Sequence, residues 1–196
     1  FEDYDGTRGF DKFKISEDKT GGGKVHSNAY LWKTAGQYKV TFVNVINPAD
    51  PLSPRTLDDF HVNPEALEPL HQLKAAGFLL LATTNQPGIS RGYMSRRELD
   101  LMHMVLRKKL PLDDILMCTH DEMDHCNCRK PHPGLIREAS FKHHLDLDRC
   151  FVISDKWQDA QAAHNAGCIS LLLNSTWIGK GHHDFVLPDL AAIVQK

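Results

Sequence analysis

The sequence predicts an α/β fold built on a doubly wound parallel sheet. Strand-like apolar runs alternate with helical segments over most of the chain. Two of the runs, residues 78–83 (FLLLAT) and 150–154 (CFVIS), are continuously apolar, as in strands buried on both faces. Helix-capping residues punctuate the segments between them.

Residues 1–37 are polar, charged and Gly-rich, and Gly21-Gly22-Gly23 separates two stretches able to pair as a hairpin. They are read as an N-terminal extension or cap, and residues 38–196 as the main domain. Residues 38–46 (YKVTFVNVI) form the first strand candidate, rich in β-branched side chains. Pro48, Pro51 and Pro54 then impose an extended loop. Asn63-Pro64 opens a helix through Ala75, closed by Gly77. After the strand at 78–83, Ser95 and Glu98 have capping-box spacing for a helix over 95–109. A short strand is predicted at 115–118 and a helix at 134–143. The strand at 150–154 precedes a helix at 159–166, ended by Gly167, and a strand at 169–173. Residues 179–184, with His182-His183, read as an exposed loop. In such sheets ligands sit beyond the carboxyl ends of the strands.

The chain has 196 residues, enough for one domain with a substantial core, and its 41% hydrophobic and 24% charged content suits a globular protein. A net charge of −2 and a pI near 6.7 supply no global attraction for nucleic acid or an anionic membrane. With no signal-like stretch and no apolar run of about 20 residues, a cytoplasmic location is expected. Five cysteines, three of them within eleven residues, point to metal rather than a disulfide framework.

Those three cysteines belong to Cys118-x-His120-x5-Cys126-x-Cys128. Three thiolates and an imidazole complete a tetrahedral zinc set and leave no open coordination position, so the ion is expected to be structural. His125 and His132 are nearby and read as solvent-exposed. Cys150 and Cys168 read as small buried hydrophobes. Arg129 and Lys130 follow the loop directly and suit a phosphate: Arg binds bidentately, Lys as a point charge. Thr84, Asn85 and Gln86, at the end of a buried strand, make a candidate phosphate cradle, and Arg91 adds a cation further along that loop. Asp155, at the end of the strand over 150–154, is a candidate Mg²⁺ ligand, with Asp159 four residues on.

The order TNQ, a Gly-Ile-x-Arg-Gly run at 88–92, C-x-H…C-x-C-R-K-P and S-D-K-x-x-D resembles the histidinol-phosphate and D-glycero-D-manno-heptose 1,7-bisphosphate phosphatases of the haloacid-dehalogenase superfamily. The resemblance covers residues 38–173, and the zinc loop joined to RKP is its most specific part. It implies a Mg²⁺-dependent phosphatase acting on a small phosphorylated sugar or related metabolite. By the same resemblance Thr84 and Asn85 hold the phosphoryl group, Lys130 neutralises it, Arg129 contacts the sugar phosphate and Asp155 holds Mg²⁺. Ser154 stands where the family has Gly.

The family's nucleophile is the first Asp of Asp-x-Asp-Gly-(Thr/Val), and the second is the acid and base. Asp3-Tyr4-Asp5-Gly6-Thr7 supplies that string literally. A second alignment makes residues 38–46 the first central strand, with Asn44 at or near the nucleophile position. The first assignment predicts an active phosphatase with Asp3, Asp5 and Lys130 as catalytic residues. The second predicts an inactive member that binds a sugar phosphate or a protein partner. A zinc-dependent nucleic-acid module and a polynucleotide 3′-phosphatase are disfavoured, by charge and by the zinc loop respectively.

Overall fold

The computed structural model describes residues 39–42, 54–58, 60–174 and 181–193. The proposed extension over 1–37, with Asp3 and Asp5, lies outside the described residues, as does Asn44.

Among the described residues six strands run in the order 3-2-1-4-5-6, every neighbouring pair parallel. They are β1 (Lys39–Phe42), β2 (Leu79–Asn85), β3 (Asp114–Cys118), β4 (Cys150–Ser154), β5 (Ile169–Leu173) and β6 (Phe185–Leu187). β1 lies between β2 and β4, with Phe42 level with Ala82 on one side and Ile153 on the other. Four helices follow the predicted segments: α1 (Leu67–Ala75), α2 (Arg96–Lys109), α3 (Gly134–His143) and α4 (Trp157–Ala166).

Alternation along the strands divides the core into two layers. Leu80, Ala82, Phe151 and Ile153 face one side and pack with Leu70 and Leu73 of α1 and Leu99, Met102 and Leu106 of α2. Leu81, Cys150 and Val152 face the other and pack with Leu135, Ile136 and Ala139 of α3 and Ala162 and Ala163 of α4. Each fully buried leucine contributes about 2 kcal/mol through apolar area removed from water. Cys150 and Cys168 are buried in the second layer, as their apolar surroundings predict.

Local chemistry sets the helix ends. The Asn63 side chain accepts from the Glu65 amide at 3.0 Å, but the first turn is a 3₁₀ helix over Pro64–Ala66 and the α-helix begins only at Leu67. Ser95 and Glu98 form the reciprocal capping box of α2. Gly77 and Gly167 take φ of 91° and 86°, the left-handed conformation that lets the chain leave a helix. β2 extends two residues beyond the predicted end, because Asn85 still pairs with Cys118 of β3. α4 begins two residues before the predicted Asp159, with Lys156 as N-cap. β6 was not predicted; it adds to β5 after the loop that carries His182 and His183. Within that loop His182 stacks on His164 of α4 at 3.8 Å between ring centroids, and its amide donates to Gln161 Oε1 at 3.1 Å.

A polar cluster fastens the edge of the sheet. Buried Asp114 opens β3 and takes Lys142 Nζ at 2.7 Å, His143 Nε2 at 2.9 Å, Arg107 NH2 at 3.3 Å and its neighbour's amide, Ile115 N, at 2.9 Å. Burial alone would push its carboxyl up, but these four partners together hold it well below the usual carboxylate range. A carboxyl with a depressed folded pKa stabilises the fold above its unfolded pKa and loses that contribution as pH falls through the folded value. Asp114→Ala is expected to cost about 2–3 kcal/mol in urea unfolding at pH 7. The gap between wild type and variant should hold above about pH 5 and narrow below about pH 4.

Candidate functional site

The carboxyl ends of β2, β3 and β4 lie along one edge of the sheet, where Asn85, Lys130 and Asp159 meet, while Asp3 and Asp5 lie outside the described residues. The edge is built outward from Lys130. This side chain is buried; its Nζ donates to the Thr83 carbonyl at 2.9 Å and forms an ion pair with Asp159 Oδ1. Asp159 is 1% exposed and also accepts from Ser154 Oγ at 2.7 Å through Oδ2. Ser154 Oγ in turn accepts from the Lys156 amide at 3.0 Å. One connected network therefore ties the end of β2, the segment after the cysteine loop, the end of β4 and the first turn of α4. Burial pushes the Lys130 ammonium down, and Asp159 opposes that push.

Asp159 was expected to stand near Asp155 as a second carboxylate for Mg²⁺. It does stand close enough to act on the Asp155 carboxyl, and both of its own oxygens are engaged, one as the counter-ion of Lys130 and one as the acceptor of Ser154 Oγ. Asp155 itself does not cap α4, a role that falls to Lys156. Its carboxyl is pushed up mainly by burial, with Asp159 adding to the effect and Lys156 opposing it.

Thr84, Asn85 and Gln86 lie at the end of β2, and all three side chains are engaged. Asn85 Oδ1 accepts from Lys130 N and its Nδ2 donates to Lys130 O, both at 3.1 Å, so this side chain staples β2 to the Lys130 backbone. Gln86 Nε2 donates to Thr84 Oγ1 at 3.0 Å, and Gln86 N donates to Cys118 O at 2.7 Å. Buried Thr83, absent from the sequence prediction, supplies the carbonyl that receives Lys130. No residue-type signal marks a backbone carbonyl for such a role.

Cys118, His120, Cys126 and Cys128 converge as predicted. One ligand atom from each lies within 4.8 Å of all the others. The sulfurs of Cys118 and Cys126 are 3.6 Å apart, those of Cys126 and Cys128 3.5 Å, and His120 Nδ1 lies 3.3 Å from Cys128 Sγ. With Zn–S bonds of about 2.3 Å, thiolates of a tetrahedral site lie about 3.8 Å apart, so the spacing fits a four-ligand ion. Burial and the neighbouring sulfurs push the Cys128 thiol up to about 12. A bound cation would reverse that preference, because it takes the thiolate form. His125 and His132 are exposed.

The loop is pressed directly onto α3. Gly134 N donates to Asn127 O at 3.0 Å, and a Cβ on Gly134 would lie 2.2 Å from that oxygen and 2.8 Å from Cys128 Cα. Glycine is required here by close approach of two backbones.

Arg91 and Arg129, the remaining predicted anion ligands, are both held by the turn after His120. Arg91 makes a two-point contact with Asp121, Nε to Oδ2 at 2.6 Å and NH2 to Oδ1 at 2.5 Å. Arg129 donates from NH1 to the His120 carbonyl and from NH2 to Glu122 Oε1, each at 3.3 Å. Arg91 holds the Asp121 carboxyl down at about 2, helped by the Glu122 amide.

Residues 127–192 match the HAD-hydrolase-like family model. The D-glycero-β-D-manno-heptose-1,7-bisphosphate 7-phosphatase of Pseudomonas aeruginosa is 33% identical over 132 residues, 65% of this chain and 72% of that protein. The enzyme of the same name from Pasteurella multocida is 32% identical over 151 residues, 69% and 82% of the two chains. Among solved structures, the D,D-heptose 1,7-bisphosphate phosphatase of Bordetella bronchiseptica, crystallised with magnesium and phosphate, superposes with a TM-score of 0.72 at 28% identity, over 80% of this chain and 95% of that one. Sheet order, the cysteine–histidine loop and these relatives agree: the chain belongs to the heptose-bisphosphate phosphatase branch of the haloacid-dehalogenase superfamily.

Proposed function

We propose that this protein is a Mg²⁺-dependent phosphatase that hydrolyses a phosphomonoester of a small phosphorylated sugar, with a heptose 1,7-bisphosphate as the substrate class. The observation that carries the reading is the buried Lys130 ammonium at the carboxyl edge of the sheet, paired with Asp159 and bonded to the Thr83 carbonyl next to Thr84. Phosphatase relatives of this similarity speak against the binding-only alternative.

In this reading Lys130 stabilises charge gathering on the phosphoryl oxygens, and Asp159 and Asn85 hold it in place by fixing its head and its backbone. Thr84 contributes a hydroxyl to the same group. β1 occupies the central position of the rival register, with Asn44 just past its end in the sequence, so the nucleophile that forms an aspartyl phosphate and the group that protonates the leaving oxygen and then activates water are assigned to Asp3 and Asp5 on their Asp-x-Asp-Gly-Thr string alone. Arg91 and Arg129 provide cations at the rim for the rest of an anionic substrate. Asp155, a hard oxygen donor that burial pushes toward protonation, would hold Mg²⁺, and the ion would favour its charged form and supply charge screening between a carboxylate nucleophile and phosphate. The four-ligand loop holds zinc as a structural ion. Among the described residues no helix is long and apolar enough to cross a membrane.

The deciding measurement is phosphate release from D-glycero-β-D-manno-heptose 1,7-bisphosphate with Mg²⁺. Turnover is expected, with Asp3→Asn abolishing it and Lys130→Met lowering kcat by about 10²-fold or more; absence of turnover in the wild type removes the reading. Asp159→Asn leaves Lys130 buried beside a neutral amide and is expected to cost about 3 kcal/mol in denaturant unfolding.

For the loop, metal analysis should find one zinc per chain. Chelation should lower the melting temperature, and Cys128→Ser should lose the metal. Gly134→Ala forces Asn127 and Cys128 away from α3. It is expected to destabilise by about 2 kcal/mol and weaken zinc retention, measured by thermal melting and chelator competition.

A further inference from the structure

Arg91 is held at the rim by a residue that none of the phosphate-site reasoning requires. The loop after β2 is folded tightly on itself: Arg91 N donates to Pro87 O at 3.0 Å, Gly92 N to Ile89 O at 3.0 Å and Tyr93 N to Gly88 O at 2.8 Å. These bonds shape the loop locally, and both its hold on the cysteine loop and the placing of the long Arg91 side chain fall to a residue outside it. Asp121 does that, through two short, parallel, charge-assisted contacts. Asp121 is itself fixed on three sides. It follows the zinc-loop residue His120, its amide donates to Asp124 Oδ2 at 2.7 Å, and its Oδ1 accepts from the Glu122 amide at 2.7 Å.

A guanidinium carries five N–H donors, and Asp121 occupies two of them. Three remain for an anion. The carboxylate thus removes the side-chain freedom of Arg91 without using up its binding capacity. Glu122, the next residue in the same turn, makes one 3.3 Å contact with Arg129 and is 77% exposed, so it fixes its arginine much less firmly.

We propose that Asp121 is a positioning residue: it transmits the shape of the metal-binding turn to Arg91, so that the loop at 87–94 presents a preorganised cation to the substrate. The claim rests on the phosphatase reading for its kinetic consequence, but its structural half stands apart from turnover.

The test uses the full chain with zinc content measured in every variant. In Asp121→Asn, amide hydrogen exchange at Arg91, Gly92 and Tyr93 is expected to rise about tenfold, with exchange in α3 unchanged. The KM for heptose 1,7-bisphosphate is expected to rise about three- to tenfold, the cost of ordering one long side chain on binding, while kcat stays within twofold. Arg91→Gln should raise KM similarly, and adding Asp121→Asn to it should add less than twofold, because the two residues act as one. Glu122→Gln should change neither loop exchange nor KM by more than twofold. Unchanged loop exchange in zinc-replete Asp121→Asn overturns the proposal. So does a fall in kcat at constant KM, or loss of zinc from Asp121→Asn, which would make Asp121 a servant of the metal loop. If the wild type shows no turnover the phosphatase reading fails, and the exchange result still decides this one.

Discussion

The buried pair of Lys130 and Asp159 is the constraint on which the arrangement of the candidate site depends. Neither charge tolerates burial alone, since removing water from an unpaired ammonium or carboxylate costs several kcal/mol. The pair therefore obliges the segment leaving the cysteine loop and the first turn of α4 to meet. The remaining partners are recruited around it: the Thr83 carbonyl from β2, the Ser154 hydroxyl from β4 and the Asn85 amide along the Lys130 backbone. A parallel sheet places strand ends near one another in a general way. This network converts that nearness into fixed atomic positions.

The cysteine loop solves a related problem with different chemistry. Residues 118–128 contribute Cys118 to the buried core, while Met123 is 81% exposed. A segment with so little apolar burial gains little shape from the hydrophobic effect, and a metal ion on its four clustered ligands would take over that task. The close approach of Gly134 to Asn127 then passes the loop's position to α3, and Arg129 and Lys130 emerge from it already placed. The cysteine loop and the cations proposed to bind the substrate share one short stretch of chain.

Much of this was legible in the residues, for identifiable reasons. The strand at Cys150–Ser154 and the helix at Gly134–His143 have the predicted bounds, because apolar runs and capping residues are local signals. The four metal ligands were readable for the same reason: they lie within eleven residues. The partnerships of the site were not. Nothing near Asp159 announces that it meets Lys130, which is 29 positions earlier; only the crossover through α3 and β4 brings them together. Hence Asp159 looked like a metal ligand from its spacing to Asp155. Arg91 and Asp121 are likewise joined across β3, and Asn85 reads as a phosphate ligand until its amide is seen spent on the Lys130 backbone. The strand at Phe185–Leu187 has three residues and a partly exposed centre, too short a pattern for periodicity to resolve.

The place of β1 has a consequence for how the chain acquires its shape during synthesis. Its register with β2 joins Lys39 to Leu79, but its register with β4 joins Lys39 to Cys150, more than a hundred positions later. Of the described strands β1 is thus made first, yet it gains its second neighbour only after β2 and β3 have been made. Until then one flank carries open N–H and C=O groups, the kind of exposed template that invites pairing with a foreign strand. The metal loop needs only contiguous residues and can close well before that flank is covered.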